Sequence, residues 1–120
     1  LEFQIVFDGQ KKLFVKHVQD RVDWLGIMSY RRDPREIAKL VATELNYASK
    51  FGHLRSVAPS METGKITGKE AYISFGGVPV HQFRSSLSSL RNTYANNPYV
   101  RCIMLHHYDS LRVYLEETEY

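Results

Sequence analysis

His106 and His107 stand side by side, and with His81 they are three of the five histidines and the ones that suggest metal ligation or proton transfer. A metal site needs further ligands at short spacing, and of Asp, Glu and Cys only Asp109 lies near them. Cys102 is the only cysteine, so an internal disulfide and a multi-cysteine zinc site are both excluded. It falls in an apolar run that reads as a buried strand, which is no setting for a reactive thiolate. Gly76-Gly77 and Gly64-Lys65 do not complete a phosphate-binding loop. The expectation is a non-enzymatic protein with no metal, no cofactor and no small-molecule substrate.

What remains is charge and aromatic surface. The net charge is +3, but residues 10–112 hold all 16 Lys and Arg and only eight of the 13 acidic residues, a local excess of +8. Three of the last five residues, Glu116, Glu117 and Glu119, are acidic. A basic body favours an anionic partner, although a solvated basic surface has the same composition. Arg31, Arg32 and Arg35 fit either a phosphate contact or a solvated helix entry. Lys65 and Lys69 sit in a polar loop and leave the same choice open.

These side chains need elements to hold them. A chain of 120 residues with 43% apolar residues is long enough for one domain with its own core. It opens at Leu1 without Met, which points to a domain within a longer protein, and no signal peptide or membrane span is visible. Residues 3–7 and 12–18 are short apolar runs around Asp8-Gly9, a hairpin signal. Residues 19–32 read as irregular. Asp33 as N-cap, Pro34 at the first position and Glu36 three residues on start a helix over 34–50. Ile37, Leu40, Val41, Leu45 and Ala48 form its apolar stripe, and Gly52 stops it. Further strands are expected near 54–58, at 71–75 and at 100–106, with a second helix over 80–95 and a possible closing helix over 110–117.

Three strings in this order resemble the RNA recognition motif. Residues 13–18, Leu-Phe-Val-Lys-His-Val, are similar to the family's first-strand hexamer, with His17 and Val18 in place of Asn and Leu. Residues 51–57, Phe-Gly-His-Leu-Arg-Ser-Val, resemble its helix-to-strand junction. Residues 71–75, Ala-Tyr-Ile-Ser-Phe, resemble the end of its third-strand octamer, with Gly68, Lys69 and Glu70 departing from the usual opening. The resemblance covers about residues 12–106 of a single domain, 1–120. It implies an α+β, ferredoxin-like βαββαβ antiparallel sheet with two helices on one face, here with an extra N-terminal strand.

Alternation along residues 12–18 puts Leu13 and Val15 on one face and Lys12, Phe14 and Lys16 on the other. Alternation along 71–75 separates Tyr72 from Ala71, Ile73 and Phe75. With the apolar sets against the helices, Phe14 and Tyr72 lie on the open sheet. The expected function is recognition of single-stranded RNA, with bases stacked on Phe14 and Tyr72 and phosphates met by Lys12, Lys16, Lys65 and Lys69. The alternative is a protein-contact or homodimerisation module in a ribonucleoprotein complex, with Phe14 and Tyr72 covered by protein. Either reading places the chain inside the cell, in nucleus or cytoplasm.

Overall fold

The computed structural model describes residues 3–118, with backbone alone at 117 and 118, so most of the acidic C-terminal run lies outside the described side chains. Asp8 and Gly9 take positive φ values of 49° and 73° and turn β1 (Gln4–Phe7) onto β2 (Gln10–Leu13) as an antiparallel hairpin. The second run does not continue as a strand. Phe14 opens a short helix, α1 (Phe14–Gln19). Val15 and Gln19, four residues apart, are buried there, and the Gln19 amide donates to Glu44 O at 2.9 Å. A hairpin with no third strand gains little from lengthening, whereas a helix can pack.

Next come β3 (Leu25–Ile27), α2 (Pro34–Phe51), β4 (Val57–Glu62), α3 (Val80–Tyr94), β5 (Met104–His106) and α4 (Tyr108–Thr118). The Asp33 carboxylate accepts from Arg35 N at 2.9 Å, and Gly52 ends α2 in the left-handed conformation, φ 69°. Strands β3, β4 and β5 form a three-stranded sheet in that spatial order, and both pairings are parallel. The chain is therefore α+β, but not ferredoxin-like: its main sheet is parallel, and the antiparallel pair is a separate hairpin. Each parallel pairing needs a long crossover, and α2 and α3 provide them.

Two local expectations fail with it. Residues 71–75 are not a strand: Gly68–Ile73 is a 3₁₀ turn. Only Ser74 and Phe75 reach the sheet, where Phe75 N donates to Glu62 O at 2.9 Å. Conversely, β4 runs on into the stretch read as a loop, and all six of its residues are buried.

The core lies on one side of the sheet. Met61 from β4 packs there with Ile37 of α2, Phe83 and Leu90 of α3, Phe75 and Tyr114, and Leu105 of β5 joins them. On the other side, long side chains reach across β4 from its neighbours. Met104 lies over Gly26, the Arg101 guanidinium sits 5.1 Å from the Trp24 ring centre, and the Tyr30 and His106 rings are 5.9 Å apart. These bridges bury Ala58 and Ser60 but leave Met28 80% exposed.

Candidate functional site

The expected RNA contacts do not share a surface. Lys12, Phe14 and Lys16 belong to β2 and α1, beside the C-terminal part of α2. Phe14 is stacked on Phe3, ring centres 5.3 Å apart, and is not an open platform. Lys12 is held by Asp20 at 2.5 Å and Tyr47 Oη at 3.1 Å, and those two bonds push its pKa up. Lys16 lies 5.4 Å from the Tyr47 ring centre. Tyr72, Lys65 and Lys69 follow β4, at the opposite end of that strand. Tyr72 is 52% exposed, with the Arg31 guanidinium 5.1 Å from its ring centre. The basic trio also divides: Arg35 pairs with Asp33 at 2.9 Å, Arg32 is part-buried, and Arg31 covers Tyr72.

Open parallel sheets bind ligands beyond the carboxyl ends of their strands. Here those ends bring together residues far apart in the sequence. Register pairs Glu62, the last residue of β4, with His106, the last of β5. Both point away from the core face that Met61 and Leu105 occupy. His106 Nδ1 lies 2.7 Å from Glu62 Oε2, and Gly64 N donates to Glu62 Oε1 at 2.8 Å. The Glu62 side chain is 9% exposed and that of His106 52%. A carboxylate can only accept, so Nδ1 carries the proton of this bond and Nε2 is the pole left for solvent or substrate. Among the described residues nothing hydrogen-bonds Nε2. The Tyr30 hydroxyl has a raised pKa, first through burial and then through the negative charge of Glu62.

Each neighbour is braced. Ser29 is fully buried; its Oγ accepts from Ser60 N at 2.9 Å and donates to Ser60 O at 3.0 Å, continuing the β3 pairing and aiming Tyr30. Arg32 donates to Ser74 O at 2.6 Å and Ala71 O at 2.9 Å, which fixes the turn that carries Tyr72. Thr63 Oγ1 donates to His106 O at 3.0 Å. Ser110 Oγ accepts from His107 N at 3.0 Å at the start of α4. The His107 ring centre is 4.9 Å from that of His106. His107 and Lys65 share a cavity of about 290 Å³ with Thr63, Gly76 and Ser110.

This edge can hold an anion, stack a planar group and move a proton. Among the described residues no group of three or more His, Cys, Asp or Glu could hold a metal ion, and no helix is long and apolar enough to cross a membrane. Sequence reasoning missed Glu62 and Tyr30 entirely. Their signal was their position at strand ends, which is readable only once the sheet is known to be parallel. Cys102, expected to be buried, is exposed. No family model, curated protein or solved structure matches the chain.

Proposed function

We propose that the chain binds single-stranded RNA at the carboxyl edge of its parallel sheet, as an intracellular module. The observation that carries this reading is the exposed Tyr72 ring with Arg31 over it, beside the Tyr30–His106 ring pair. Single-stranded RNA is recognised where flat rings and cations alternate, because bases stack and phosphates need charge. Of the residues singled out in the sequence, Tyr72, Lys65 and Lys69 belong to this surface. Phe14, Lys12 and Lys16 do not, being engaged at the other end of β4.

Fluorescence anisotropy on a short single-stranded RNA across a salt series tests this. Tyr72→Ala is expected to weaken binding by roughly 1–3 kcal/mol with the salt slope unchanged. Lys69→Ala is expected to reduce the slope by about 0.7, since a single-strand phosphate contact releases counterions. Lys16→Ala is expected to change neither. Loss of affinity in Lys16→Ala with none in Tyr72→Ala refutes the placement.

A second reading, contact with a protein or a second copy of the chain, is favoured by one observation. The sheet face away from the core exposes Met28, Trp24 and Met104 (80%, 39% and 38%), whereas parallel sheets are usually covered on both faces. Sedimentation at micromolar concentration tests it: a single species of 14.0 kDa removes self-association.

A further inference from the structure

We propose that the carboxyl edge also cleaves the RNA it holds, with His106 as general base, Glu62 as its positioning residue and His107 as general acid. This rests on the RNA reading above. It is carried by the buried Glu62 carboxylate on His106 Nδ1, which leaves Nε2 facing out, and by the second imidazole 4.9 Å away. RNA supplies its own nucleophile, the ribose 2′-hydroxyl, so no activated serine, cysteine or metal-bound water is required.

The step balances within the substrate and the two histidines. His106 Nε2 takes the proton of the 2′-hydroxyl. The 2′-oxygen forms a bond to the adjacent phosphorus, and the bond from phosphorus to the 5′-oxygen of the next nucleotide breaks. That 5′-oxygen takes a proton from His107 in its imidazolium form. The products are a 2′,3′-cyclic phosphate and a 5′-hydroxyl end. Solvent then removes the proton from His106 and returns one to His107. Glu62 stabilises the imidazolium that forms on His106 and prevents the ring from flipping. Lys65 lines the same cavity as His107.

The test uses a 5′-labelled single-stranded RNA with EDTA present, and 2′-O-methyl RNA of the same sequence as a ligand that cannot react. The expected result is cleavage to 2′,3′-cyclic phosphate ends and none of the methylated strand. His106→Gln is expected to lower kcat by about 100-fold or more, and Glu62→Gln by at least about 10-fold, each loss exceeding by far any weakening of the methylated strand's binding. Glu62→Gln keeps an acceptor for Gly64 N; should it melt early, His106→Gln decides alone, because its half-exposed side chain fills no core space. Binding of the methylated strand with cleavage no faster than by His106→Gln overturns the catalytic proposal and leaves the binding reading intact. Failure to bind the methylated strand overturns both.

Discussion

Two glycines that look alike in the sequence are expected to respond oppositely to a single methyl group. A Cβ at Gly76 would stand 2.5 Å from Gly64 C and 2.7 Å from Lys65 N, and closer still to Gly64 O. All three atoms are backbone, so no rotamer change relieves the overlap. The 64–65 segment must retreat, and it is tied in place: Gly64 N donates to Glu62, Ser74 Oγ donates to Gly64 O, and Gly76 N donates to Ser74 Oγ at 3.1 Å. Overpacking costs roughly 1–3 kcal/mol, and parting the Gly64 carbonyl from its Ser74 donor costs about as much again. Gly76→Ala is therefore expected to lose about 3–5 kcal/mol. At roughly 4 °C per kcal/mol for a chain of this size, that lowers Tm by roughly 10–20 °C. At Gly26 a Cβ would meet Met104 Sδ at 2.8 Å and Cε at 3.4 Å. Those are the far atoms of a flexible thioether on an open face, and they can swing away. Alanine in a strand also loses less backbone entropy than glycine on folding, so Gly26→Ala is expected to stay within about 1 kcal/mol of the parent. Thermal melting of both variants by circular dichroism is the assay. A Gly76→Ala protein that melts within a few degrees of the parent refutes the close approach of residues 64–65 to 76. A Gly26→Ala protein as damaged as Gly76→Ala refutes the account of Met104 as a movable cover.

Arg32→Ala leaves the carbonyls of Ala71 and Ser74 without their donor, and is expected to cost roughly 1–3 kcal/mol; Arg32→Lys restores little, since one ammonium cannot span both, and urea denaturation measures each. Burial raises the Asp20 pKa, but hydrogen bonds from Lys12 and Tyr47 outweigh it and hold the carboxyl below the usual value. A depressed folded pKa gives stability that is present above the unfolded value and lost as pH falls through the folded one. Asp20→Asn is thus expected to melt below the parent at pH 7, with the gap closing below about pH 4. Val41, fully buried on the inner face of α2, is expected to tolerate no charge: Val41→Asp loses several kcal/mol, whereas Leu40→Asp, at a position 41% exposed, melts close to the parent.

Helix α2 was legible because its signals are local. Asp33, Pro34 and Gly52 act within a few residues of themselves, and so do Asp8 and Gly9 at the hairpin. Strand β4 was illegible for the opposite reason. It is buried on both faces, so it shows no alternation, and Pro59, Ser60 and Glu62 look like loop residues until their partners are known. Ser60 is satisfied by Ser29, thirty-one residues away, and Glu62 by His106, forty-four away. The strings that resemble the RNA recognition motif are five to seven residues long, and such strings fit more than one period. Leu13 to Val18 crosses from β2 into α1, and Ala71 to Phe75 folds as a turn because Arg32 captures its carbonyls. Strand direction has no local signature, and the candidate site depends on direction, because only a parallel register sets Glu62 beside His106.

Strand β4 pairs on one side with a strand some thirty residues earlier and on the other with one some forty residues later. Both closures precede any reward from the sheet, and loops of that length make parallel pairing slow. The hairpin of β1 and β2 closes through a local turn and can form within about 10 μs, but two strands alone are marginal in water. The sheet is therefore expected to be the late event in folding. Pulse-labelling hydrogen exchange during refolding should find the amides of β4 protected last, and the Glu62–His106 pair, at the far end of that strand, comes into existence only when the final pairing zips shut.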